Sequence, residues 1–157
     1  FKNTGRPSMN DKDKRYRSAY LDMSNTPKFA FGYGLSYTSF ALSDLKLSKP
    51  AIREGENLQV TCTLTNTGKF AGEEVVQLYI QDKVASVTRP LKQLKAFEKV
   101  MLQPGQSKSL TFTIDKEKLS FYDKQMNWTA EPGEFKLMIG NSADNILLQS
   151  DFELQPL

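Results

Sequence analysis

The chain has 157 residues, of which 39% are hydrophobic and 11% aromatic, enough for one ordinary domain with a real core. A single cysteine, Cys62, rules out an internal disulfide framework and a thiolate metal cage, and the absence of histidine removes the commonest general base and neutral metal ligand. No run approaches the roughly 18 apolar residues of a membrane helix, and the net charge of +3 is modest.

That charge is unevenly spread. Residues 1–30 hold seven basic groups against three acidic ones, while the remainder holds 14 against 15. The run "DKDKRYR" at 11–17 interleaves its signs, so it reads as a solvated segment, or one that pairs with an acidic neighbour, rather than as an arm for nucleic acid. The sequence opens on Phe1 with no initiator methionine or basic-then-apolar leader, and is therefore expected to be a piece of something longer, with any export signal outside it.

The stretch "FAFGYGLSYTSF", residues 29–40, puts five aromatic rings and two glycines into twelve residues. Gly32 and Gly34 let the backbone take conformations closed to other residues and approach a neighbouring surface. Phe29, Phe31, Tyr33, Tyr37 and Phe40 flank them as hydrophobic anchors, the tyrosines with a polar tip. The expected role is a fixed junction between domains; the alternative is an edge loop whose rings cap the domain's own core.

From residue 40 onward the dominant period is two. In "NLQVTCTLTN", Leu58, Val60, Cys62 and Leu64 share one face and Gln59, Thr61, Thr63 and Thr65 the other. Further strands are expected at 40–48, 73–82, 92–102, 108–114, 133–140 and 146–154. Between them stand the breakers "KPAIREGE", "NTGKFAGE", "QPGQS", "EPGE" and "GNSADN". The segment 115–123, "DKEKLSFYD", reads either as a single helical turn or as the start of a strand running to Trp128.

Short strands with a turn every eight to twelve residues fit an all-β, two-layer antiparallel sandwich of the immunoglobulin or fibronectin type III kind, with a closed barrel as the alternative. An extended arm and junction at 1–38 precedes the sandwich at 39–157. Val60, Cys62, Leu64, Leu78, Ile80, Leu110, Phe112, Leu137 and Ile139 are expected to face one shared core.

Chemistry is sparse. Without histidine, serine–histidine and cysteine–histidine nucleophile systems are impossible within this chain. Glu73, Glu74, Asp82, Asp115, Glu117, Asp123, Glu131 and Glu134 suit a glycosidic acid–base pair by type alone, but each lies in a turn or at a strand end and reads as a solvated group. "GYG" lacks the lysine and following helix of a phosphate loop, and "DNILLQSD" lacks the alternating oxygen ligands of a calcium loop. No catalytic residue, metal or cofactor is expected.

Trp128, with Tyr122 and Phe121, has the chemistry of a sugar-stacking platform, yet a lone tryptophan in a sandwich is expected to be core, so Trp128 is predicted to be mostly buried and to bind no sugar. "NWT" at 127–129 matches an N-glycosylation acceptor and is read as a chance match. In "TRPLKQL", Arg89 and Lys92 beside Pro90 either reach across an interface toward an acidic neighbour or flank a proline that merely starts an edge strand.

Four segments carry a resemblance in combination. "NTGRP" (3–7), "FGYGLSYTSF" (31–40), "RPLKQLKAFEKVMLQPGQS" (89–107) and "AEPGEFKLMIGNS" (130–142) closely resemble the C-terminal portion of family 3 glycoside hydrolases, most nearly the bacterial periplasmic β-glucosidases. The resemblance covers essentially the whole chain. It implies a three-part enzyme: a (β/α)-barrel with the aspartate nucleophile, an α/β sandwich that supplies or supports the acid/base carboxylate, and a fibronectin type III-like domain at the end. This chain looks like the last part and the segment that joins it. The family's catalytic motifs have no matching positions here, so no catalytic residue is carried over.

The resemblance implies a structural domain whose partners are the catalytic domains of the same parent chain. It would meet the oligosaccharide only indirectly, with no nucleic acid or membrane partner, in a periplasmic or secreted enzyme. The alternative is an independent carbohydrate-binding or adhesion module built on Trp128. An exposed coplanar aromatic pair favours the module; a buried Trp128 with an exposed apolar patch around 29–40 favours the structural domain.

Overall fold

Strands form at each place where apolar and polar side chains alternate cleanly in the sequence. The structure, a computed structural model, describes residues 26–156, and the run at 11–17 and the "NTGRP" segment lie outside the described residues. The chain divides into two compact units, Phe1–Phe31 and Gly32–Leu157. All strands among the described residues belong to the second. They are β1 (Phe40–Leu47), β2 (Ala51–Arg53), β3 (Leu58–Asn66), β4 (Gly72–Asp82), β5 (Gln93–Leu102), β6 (Ser107–Ile114), β7 (Phe121–Tyr122), β8 (Trp128–Thr129), β9 (Gly133–Ser142) and β10 (Asn145–Gln155), with one helical turn, α1 (Lys116–Leu119), between β6 and β7.

Two sheets make the sandwich, a three-stranded one in the order β1-β3-β6 and a five-stranded one in the order β2-β10-β9-β4-β5. Every pairing is antiparallel except β2 with β10. The two layers answer the sandwich expected from the turn spacing. β3 alternates buried and half-buried positions along its whole length, and its Leu58, Val60, Cys62 and Leu64 join Val76, Leu78, Ile80, Leu137 and Ile139 of the facing sheet in one cluster. All nine core residues expected from the alternation belong to it. Burial of this kind stabilises by about 1.5–3 kcal/mol per large apolar side chain. Burial, with Glu98 beside it, pushes the Cys62 thiol up to about 11, so this cysteine is an inert core filler.

Two local features were not expected. β2 falls inside "KPAIREGE", read from sequence as a breaker; three residues cannot display a period, and only Ile52, buried against the core, marks it. In "NTGKFAGE", the fully buried Asn66 satisfies every polar atom of its side chain: Nδ2 donates to the carbonyls of Phe70 (2.8 Å) and Leu102 (3.0 Å), and Oδ1 accepts from Thr38 Oγ1 and Gly68 N. That one carboxamide fixes the β3–β4 turn against the entry to β1, and makes a buried polar group affordable.

The segment 115–123 realises the helical turn. The Asp115 carboxylate accepts from Lys118 N as the N-cap, and Leu119 is buried. The continuous strand to Trp128 does not form; β7 and β8 pair instead as a separate two-stranded hairpin.

Candidate functional site

The aromatic segment is displayed rather than buried. In the first unit, Phe29 and Phe31 are largely exposed, and the Lys28 ammonium lies 5.8 Å from the Phe29 ring centroid. In the second unit, Tyr33 is half exposed while Leu35 and Tyr37 are 90% and 97% exposed. Tyr37 therefore caps no core, and only Phe40 packs against the cluster. Gly32 and Gly34 differ in what they do. Gly32 has φ +80°, and a Cβ there would stand within 2.8 Å of Gln77 Cδ and closer still to Oε1 and Nε2, whereas a Cβ at Gly34 meets nothing within 4 Å.

Gln77 is itself unusual. It lies on β4 on the face opposite Val76 and Leu78, yet it is only 4% exposed. Its Oε1 accepts from the Tyr79 hydroxyl, and its Nε2 donates to the Asn141 carbonyl at 2.8 Å. The backbone at Gly32 thus seats on a fixed carboxamide on the sheet's second face.

The loop between β4 and β5 holds the other expected contact residues. Arg89 does not reach outward: its side chain is 8% exposed, with Nη1 3.8 Å from Asp82 Oδ2, Nη2 donating to Gln93 Oε1 at 2.7 Å, and its guanidinium carbon 4.0 Å from the Phe121 ring centroid. Neither Nη1 nor Asp82 Oδ2 has a hydrogen-bond partner. Burial raises the Asp82 carboxyl above its ordinary range against the pull of Arg89 and a Val84 backbone hydrogen bond, and burial lowers Arg89. Pro90 is half-buried ahead of β5, and Lys92, exposed, donates to the Ala143 carbonyl. A cleft of about 320 Å³ opens beside the pair, lined among others by Asp82, Val84, Val87, Arg89 and Leu91. Sequence reading missed the pair, although one signal was available: 76, 78, 80 and 82 share a register, which aims Asp82 inward.

Trp128 requires a correction. It is 52% exposed, not mostly buried. The hairpin pairs Phe121 with Thr129 and Tyr122 with Trp128, so alternation turns Phe121 inward beneath Arg89 and leaves Tyr122 and Trp128 outward. The two outward rings lie 4.9 Å apart and are tilted by 57°, which makes a cross-strand contact rather than a flat platform. At the tip, Met126 is held at φ +65°.

Asp123 holds that tip: Oδ1 accepts from Gln125 N and Asn127 N, both at 2.8 Å, and Oδ2 from Asn127 Nδ2. The Asn127 backbone and side-chain bonds hold the Asp123 carboxyl below its usual range. A depressed folded pKa contributes stability that is present above the unfolded value of about 3.9 and lost as pH falls through the folded one. Emission of the sole tryptophan is accordingly expected to stay constant down to about pH 4 and to change below it. Asp123→Ala is expected to show the acid-form spectrum already at neutral pH; a variant spectrum and pH profile identical to the parent's would refute this role.

No helix among the described residues is long and apolar enough to cross a membrane, and among them no three His, Cys, Asp or Glu side chains gather as a metal site.

Residues 74–143 match the family model described as Fibronectin type III-like domain. The chain is 47% identical over 152 residues to the periplasmic beta-glucosidase of Salmonella typhimurium, covering 97% of this chain and 20% of that protein. It is 46% identical over 124 residues to the thermostable beta-glucosidase B of Acetivibrio thermocellus, covering 78% and 16%. Among solved structures, the beta-glucosidase from Listeria innocua in complex with isofagomine superposes with a TM-score of 0.87 at 42% identity, covering 98% of this chain and 22% of that one. The chain spans about one fifth of the length of the curated relatives it matches.

Proposed function

We propose that this chain, which belongs to the family 3 glycoside hydrolases and carries their fibronectin type III-like domain, is a non-catalytic structural domain that buttresses the catalytic domains of a β-glucosidase-like enzyme. The observation that carries this reading is the display of Tyr33, Leu35 and Tyr37 on a backbone seated at Gly32, in a chain that matches only a fifth of its relatives' length. Exposed rings on a fixed backbone suit a surface completed by the rest of a longer protein. In this reading residues 1–38 are arm and junction, residues 39–157 are the sandwich, and hydrolysis of β-glucosidic bonds of oligosaccharides belongs to the parent's other domains. Phe29, Phe31, Gly32, Tyr33, Gly34, Tyr37, Pro90 and Lys92 remain the contact candidates, while Arg89 supports the loop from inside. The carboxylates with shifted titration each face a separate partner, Glu56 with Lys49, Asp82 with Arg89, Asp115 with Lys118 and Asp123 with Asn127, which supports a role without acid–base chemistry. The name of the Salmonella relative supports a periplasmic or secreted setting.

The purified chain is expected to show no turnover of an aryl β-glucoside above a mock preparation. In the longer enzyme, the double substitution Phe31→Ala and Tyr33→Ala is expected to lower the melting temperature or kcat, and to leave the isolated sandwich folded. Turnover by the isolated chain, or a longer enzyme indifferent to the double substitution, contradicts the reading. The exposure of Trp128 favours a second reading, a carbohydrate-binding module. The 57° tilt of its ring partner counts against it, and titration of tryptophan emission with cellobiose, laminaribiose and glucose separates the two: a saturable change lost in Trp128→Ala supports the module.

A further inference from the structure

The pairing of β4 with β5 slips by one residue. Leu78 faces Ala96 but Tyr79 faces Leu94, so Lys95 is the extra residue of a β-bulge. Bulges re-aim a side chain, and they occur preferentially at sheet edges; β5 is such an edge. The result here is a half-buried lysine close enough to Arg89 and Lys118 to feel both charges. The acids beside Arg89 and Lys118 face other groups. Asp82 faces Arg89 at 3.8 Å, Asp115 holds Lys118 at 2.9 Å, and Glu131 Oε2 accepts from Ser86 N at 2.9 Å. Among the described residues no carboxylate pairs with Lys95. Burial, followed by the Arg89 and Lys118 charges, holds its ammonium below the usual lysine range, the signature of an uncompensated cation.

We propose that Lys95 is the seat of a carboxylate side chain contributed by the catalytic portion of the longer protein. The proposal rests on the structural-domain reading above and names a polar contact of that interface. Charge complementarity selects the occupant: three cations at one end of the sandwich offer one unfilled position, and an acidic side chain fills it with a charge-assisted hydrogen bond. Leu91, 73% exposed, and Leu94, 36% exposed, precede the lysine in sequence as exposed apolar residues. One of the two readings of "TRPLKQL" has Arg89 and Lys92 reach an acidic neighbour; Arg89 is turned inward, and the proposal gives such a contact to Lys95.

Opposite signs in the two contexts test this. In the isolated chain, Lys95→Met removes a half-buried charge held among like charges, and is expected to raise the melting temperature by about 3 °C. In the longer enzyme the same substitution strands the partner carboxylate, and is expected to lower the melting temperature by a similar amount; Lys95→Arg is expected to retain the parent value. Lys95→Met that stabilises the longer enzyme as it does the isolated chain overturns the proposal. The Phe31→Ala and Tyr33→Ala double substitution in the longer enzyme separates the two levels. If it destabilises while the Lys95 variants show no reversal of sign, the docking reading stands and the carboxylate seat falls. If the double substitution is silent as well, both fall together.

Discussion

Asp82→Ala is expected to destabilise the isolated chain by about 3–5 kcal/mol, because it leaves the Arg89 guanidinium buried without a counter-charge. The side chains of the pair are only 4% and 8% exposed, and their nearest N···O approach of 3.8 Å is too long for a hydrogen bond. Asp82 as a charge is itself a cost. Burial raises its folded carboxyl above the unfolded value, so its contribution is most favourable below about pH 3.9 and declines as pH rises through the folded value. At neutral pH it offsets the greater cost of an isolated Arg89. Replacing both, Asp82→Leu with Arg89→Met, is therefore expected to recover most of the loss, since apolar side chains of similar size suit a site bounded by Phe121. Urea unfolding with unchanged m-values reads out each variant. A single substitution costing less than about 1 kcal/mol, or a double mutant as unstable as the single, would show that the pair does not hold the β4–β5 loop onto the hairpin.

The contrast between Asp82 and Val60 shows what the sequence discloses. Val60, Cys62 and Leu64 announce their burial because three apolar side chains repeat at the period of a strand, and a sheet has only two faces to offer. Asp82 occupies the same inward register at the end of β4, but residue type argues for solvent, and only the arrival of Arg89 from a loop seven residues later reverses that preference. Trp128 failed for a related reason. Whether its ring turns in or out depends on which residue it pairs with in a hairpin of two-residue strands, too short for any period to be seen. The unpaired state of Lys95 depends on a one-residue slip between strands, and pairing register is not written in the order of residues along one strand. The sandwich and its core were legible; the polar contacts that make its loops specific were not, because each joins residues from different elements.

The two glycines of the aromatic segment look alike in sequence, yet their substitutions are expected to differ by about 2–5 kcal/mol. Gly34→Ala adds a methyl group into open space and is expected to be close to neutral. Gly32→Ala places a side chain at φ +80°, which costs about 1–2 kcal/mol for a residue with a Cβ. It also drives that Cβ into the Gln77 carboxamide. A flexible side-chain end ordinarily swings aside cheaply, but Gln77 is tied to the Tyr79 hydroxyl and to the Asn141 carbonyl and is nearly sealed from water. Moving it leaves buried donors and acceptors unmet, which adds about 1–3 kcal/mol. Gln77→Ala makes room for the new methyl group, so the cost of Gly32→Ala is expected to shrink toward the backbone term alone in that background, the non-additivity that contact predicts. Urea unfolding of the four chains of this cycle, with Gly34→Ala beside them, measures the coupling. Equal effects at Gly32 and Gly34, or strict additivity with Gln77→Ala, would mean that the aromatic segment is not anchored through this carboxamide. In that case the fixed display of Tyr33 and Tyr37 would lose its physical basis.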